Sequence, residues 1–72
     1  MMHTALPMLE AGDVATITGI TGTQVAAKRL VDMGFVRGAR LEMIRPGRPC
    51  IVQIAGVCVG LGAAFQHSIQ LA

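Results

Sequence analysis

Residues 50–65, CIVQIAGVCVGLGAAF, carry no Asp, Glu, Lys or Arg, and no charged residue follows Arg48 as far as Ala72. Such a run is either a membrane span or the interior of a folded body. A spanning helix needs about 20 apolar residues. This run is shorter, contains Gln53, and gives way to Gln66, His67, Ser68 and Gln70. Gly56, Gly60 and Gly62 weaken a helix in water, and no basic residue follows to anchor a span. A β-hairpin accounts for the run better. With the turn at Ala55–Gly56, Ile54 faces Val57, Val52 faces Val59, and Cys50 faces Leu61. Side chains alternate along a strand, so these pairs share one face, and Ile51, Gln53, Cys58 and Gly60 share the other. A slip of one residue would mix the two sets. Ala-Gly is not a favoured tight-turn pair, so a bulged turn at Gly56 is expected. The run reads as the inside of a small soluble β-domain, with no direct membrane insertion.

Working outward, Glu10 to Asp13 reads as a turn and Asp13 to Ile20 as a strand rich in Val, Ile and Thr, with Gly19 marking a bulge. Thr23 is an N-cap candidate, because its hydroxyl can accept from a free first-turn amide. Ala26, Leu30 and Met33 then recur at helical spacing, and Lys28, Arg29 and Asp32 lie off that stripe. Gly34 marks the helix stop. Ala39 to Arg45 alternates as a half-buried strand, with Leu41 and Met43 on one face and Arg40, Glu42 and Ile44 on the other. Pro46 to Pro49 is a loop. A short turn or single helical turn follows from Gly62 to Phe65, and Ser68 to Leu71 makes a last strand. The expectation is a mainly β fold, a small barrel with one short α-helix after the first strand. It forms a single domain over residues 1–72, with its core at about 9–71.

Composition narrows the function. At 72 residues the chain has room for one domain, and its 53% hydrophobic residues leave some apolar surface outside, which points to a partner. The net charge of +2 and the absence of Trp and Tyr argue against nucleic-acid binding, although the basic residues are confined between Lys28 and Arg48. Met1 to Asp13 lacks a basic n-region and an unbroken apolar run, so it is not read as a secretory signal. A cytoplasmic location is expected.

Chemistry-bearing residues are sparse. Cys50 and Cys58 fall on opposite faces of the hairpin, so they form neither a disulfide nor a shared metal site. Cys50 reads as a core residue. His67 shares a face with Ile69 and Leu71 and reads as structural. His67 and Cys58 are weak metal candidates, and His3 is a candidate only for adventitious metal. Met33 and Met43 are read as core. Glu10, Asp13, Asp32 and Glu42 are scattered, and no phosphate-binding loop or nucleophile elbow occurs. The chain is read as not an enzyme, with no cofactor. Ile51, Gln53 and Cys58, with Ile44, form a weakly polar face that suits a homo-oligomer contact.

The segments LEAGDVATITGI, KRLVDMGFVRGARLEMI, PCIVQIAGVCVGL and SIQL together resemble the FeoA family over about Leu9 to Leu71. The most specific piece is Arg29, Leu30, Met33, Gly34, Phe35 and Gly38. The resemblance implies an SH3-like β-barrel and a cytosolic accessory role in bacterial ferrous iron uptake. The implied partner is the FeoB transporter, docked at its cytoplasmic GTPase domain and modulated there. Lys28, Arg29, Phe35 and Arg37 are the candidate contacts, with packing in the core the favoured alternative for Phe35. A related domain closes longer iron-dependent repressors, but this chain has no room for their helix-turn-helix. The alternatives are an iron chaperone or sensor that binds metal directly, and a small-barrel nucleic-acid module.

Overall fold

The computed structural model describes residues 4–72. Its strands are β1 (Thr4–Ala5), β2 (Val14–Ile20), β3 (Arg40–Arg45), β4 (Cys50–Ile54), β5 (Val57–Leu61) and β6 (Ile69–Leu71). A 3-10 helix, Leu6–Met8, follows β1; α1 (Gln24–Asp32) follows β2, and α2 (Ala63–Gln66) precedes β6. The strands form one antiparallel sheet in the order β1-β6-β2-β3-β4-β5.

The charge-free run folds as the hairpin, with no membrane helix. Cys50 pairs with Leu61, Val52 with Val59 and Ile54 with Val57, as the alternation requires. The turn differs from expectation. Ala55 and Gly56 both have positive φ, 52° and 77°, which makes a two-residue turn with no bulge in the β4–β5 register. This twist matches that of the flanking strands, so the hairpin closes without an extra residue. The shared face is also not uniformly covered. Cys50, Val52, Ile54 and Leu61 are buried, but Val59 is half-buried and Val57 is exposed.

The inward residues of β2, β3, β4, β5 and β6 meet in one cluster that includes Ile17, Leu41, Met43, Val52, Ile54, Leu61, Ile69 and Leu71. Gly19 marks the expected irregularity, since the β2–β6 register shifts between Ile17 and Gly19. The core starts earlier than Leu9. Leu6 is fully buried, and β1 pairs with β6. This first strand and the 3-10 turn escaped the sequence reading because two strand residues are too few to show alternation.

Helix α1 begins and ends as its sequence dictates. Thr23 Oγ1 accepts from the Ala26 amide at 3.2 Å. At the other end, the Phe35 amide donates to the Leu30 carbonyl and the Gly34 amide to the Val31 carbonyl, each at 2.9 Å. This is a Schellman stop, and it uses the positive φ of Gly34, 103°. Leu30 and Phe35, the apolar pair that accompanies such a stop, are both buried. Met33, by contrast, is 38% exposed rather than core. It is the C-cap, where the chain is already leaving the helix, so the helical stripe no longer dictates its direction.

Candidate functional site

Lys28 and Arg29 project from the exposed side of α1, and Arg37 follows its stop. Arg37 Nε donates to the Thr18 carbonyl at 3.0 Å, which ties the exit of α1 to β2. Next to that tie, the Gly38 amide donates to the Ile17 carbonyl and the Ile17 amide to the Ala39 carbonyl. The segment carrying the exposed cations is thereby clamped to the sheet at its base.

Phe35 does not belong to this surface. It is fully buried, among the largest enclosed side chains, so it is corrected from a contact candidate to a core residue. The Schellman stop directs it inward, beside Leu30. His67 is corrected in the other direction. It is the C-cap of α2 and exposed, because the helical turn rotates it away from the face carrying Ile69 and Leu71.

Cys50 is buried and Cys58 exposed, and both are free. Burial pushes the Cys50 thiol above its ordinary pKa, partly offset by hydrogen bonding to the backbone at Cys50 and Leu61. Among the described residues, no three His, Cys, Asp or Glu side chains converge as a metal-ligand group. His3 lies outside the described residues.

One polar residue sits inside the fold. Gln66 is buried, and its Nε2 donates to the Leu61 carbonyl at 2.9 Å and the Gly47 carbonyl at 3.0 Å. It pins the β3–β4 loop to the end of β5. Its amide satisfies two backbone acceptors whose burial would otherwise be costly. The sequence offered no signal for this, because both partners are distant backbone atoms.

A groove of ≈ 340 Å³ lies between the last turn of α1 and the end of β5, lined by Arg29, Asp32, Met33, Gly60, Leu61 and Phe65. Of these, sequence reasoning selected only Arg29 as a contact residue. The others come from three separate elements whose meeting depends on the sheet order.

Six antiparallel strands around one core, with a helix inserted between β2 and β3, define an SH3-like β-barrel protein. An FeoA-domain family model matches residues 4–71, nearly the whole chain, and the chain belongs to the FeoA family. Solved structures agree. An iron uptake regulatory protein (FeoA) matches with a TM-score of 0.89 and 25% identity, over 100% of this chain and 97% of that one. FeoA from Chlorobium tepidum matches with a TM-score of 0.85 and 32% identity, over 94% of this chain and 68% of that one. Stenotrophomonas maltophilia FeoA, described as a procaryotic SH3 domain protein complexed with zinc, has a TM-score of 0.84 and covers 96% of this chain and 89% of that one. At 21% identity, it supports the fold alone. No curated relative matches the sequence. Family membership assigns the chain an accessory role in ferrous iron transport. No helix among the described residues is long and apolar enough to cross a membrane.

Proposed function

We propose that this chain is a non-enzymatic, cytoplasmic accessory of bacterial ferrous iron uptake that docks on the cytoplasmic GTPase domain of a FeoB-type transporter and modulates it. The observation that carries this reading is the FeoA-domain match over residues 4–71. The geometry supports it: the exposed cations Lys28, Arg29 and Arg37 are held on a helix and turn clamped to the barrel. A charged surface presented rigidly costs little ordering on docking and suits an acidic counterpart.

The test is retention of the transporter's cytoplasmic domain on the immobilised chain, with and without a GTP analogue. Wild-type chain retains it. Arg29→Glu weakens retention, and so does Arg37→Glu, in a manner sensitive to added salt. Equal retention by both variants and wild type moves the interface elsewhere; no retention by wild type removes the docking reading.

A further inference from the structure

Strand β5 is the last strand of the sheet. Its open edge has a defined chemistry. The two-residue turn makes Ile54 and Val57 the hydrogen-bonded pair that closes the hairpin. Pairs alternate along an antiparallel ladder, so Gln53–Cys58 and Ile51–Gly60 are the non-hydrogen-bonded pairs. The backbone N–H and C=O groups of Cys58 and Gly60 therefore point away from β4, at the i, i+2 spacing that another strand reads.

Val57–Leu61 has no charge, no proline and no bulge against β4, three of the features that blunt an edge. Gly60 brings no side chain of its own to the edge, and the space on its face is also open, since a Cβ placed there would approach nothing closer than the Cys50 carbonyl oxygen, at 4.0 Å. That same Gly60 borders the groove described above, where Met33, Leu61 and Phe65 supply an apolar lining and Arg29 a cation. An open strand edge beside an apolar groove under a helix is the arrangement by which domains accept an extended peptide.

We propose that the cleft between β5 and the last turn of α1 takes an extended segment of a partner protein as an added strand, with an apolar side chain over Met33, Leu61 and Phe65 and an acidic side chain against Arg29. Asp32, on the same rim, sets the polarity, because it repels an acid placed at its end of the groove and so assigns the acid to the Arg29 side. A second copy of the chain fits less well. It would offer the uncharged strand Val57–Leu61 and leave Arg29 without an acid to meet. The cleft shares Arg29 with the proposed transporter contact but also needs the outward backbone of β5, so Gly60→Pro, which leaves Arg29 in place, separates failure of this proposal from failure of that reading.

A phage-displayed random peptide library panned on the full chain supplies the probe. The enriched peptides are expected to pair an apolar residue with a nearby Asp or Glu, and to perturb the amide resonances of Val57–Leu61 and Met33. Gly60→Pro removes an outward amide that the β4 ladder does not use, so the hairpin stays intact. It weakens the enriched peptides up to about ten-fold, the worth of the one hydrogen bond lost. Arg29→Glu, which alters only an exposed helix residue, weakens them about five-fold. Failure to enrich any peptide overturns the proposal, as does unchanged affinity in both variants. Sedimentation as a dimer that Gly60→Pro dissociates also overturns it, because the occupant is then a second copy.

Discussion

Strands β4 and β5 come from the same charge-free run and pair residue for residue, yet the fold treats them differently. On the face they share, β4 buries Cys50, Val52 and Ile54, whereas β5 buries only Leu61 and leaves Val57 exposed. Ile54 and Val57 are direct cross-strand partners, and they are 2% and 57% exposed. The difference is position in the sheet. β4 has a neighbour on each side and the core beneath it, while β5 has one neighbour. Apolar character specifies a face to be covered, and the packing of other elements decides how far along the strand the cover reaches.

That contrast predicts its own largest test. Ile54→Ala empties a packed site and should cost about 2–5 kcal/mol. Val57→Ala, across the ladder, should stay within about 0.5 kcal/mol. Urea denaturation of both variants measures the gap, and similar losses would mean that β5 is covered in solution. Next comes the polar pin at the end of β5. Gln66→Leu keeps the bulk but leaves the Leu61 and Gly47 carbonyls without their donor, at a cost of about 1–3 kcal/mol. A neutral result would show that the β3–β4 loop does not depend on it.

Two glycines sharpen the comparison further. Gly34→Ala places a Cβ at a φ of 103°, with only an ordinary contact to Ala55 at 3.5 Å, so its cost of about 1–2 kcal/mol is conformational. Gly60→Ala has extended backbone and open space, and should change the urea midpoint little.

The smallest effects concern the cysteines. A thiol reagent should label Cys58 rapidly and reach Cys50 only on unfolding. Burial favours the neutral Cys50 thiol in the folded state, so the folded chain holds that proton to higher pH than the unfolded chain does. This stabilisation is intact below the ordinary value of 9.0 and is lost as pH rises from there through the raised folded pKa. Cys50→Ala should flatten that alkaline decline, and an equally steep decline in the variant would assign it to another group.

Features governed by neighbours in the chain were legible in advance. Thr23 capping α1, Gly34 ending it, the bulge at Gly19 and the hairpin register each follow from local hydrogen bonding or from alternation. Reading failed where an element's surroundings mattered. Met33 continues a helical stripe on paper, yet it sits where the chain leaves the helix. Phe35 reads on paper as either a contact or a core residue, and the stop that turns it inward joins residues whose burial depends on the sheet below. His67 shares a face with Ile69 and Leu71 on paper, yet the helical turn expected to end at Phe65 extends to Gln66, and His67 caps it.

Sequence by itself determined that the charge-free run doubles back on itself, that one short helix is capped and stopped where it is, and that most of the chain builds a single β core. These follow from side-chain period and backbone φ preferences, which act over a few residues. Only the tertiary structure decided that β5 is an open edge, that Gln66 locks a distant loop, and that Arg29, Gly60 and Phe65 frame one groove. Each depends on segments far apart in the chain being brought together by burial of a common core, a non-local effect that no local pattern encodes.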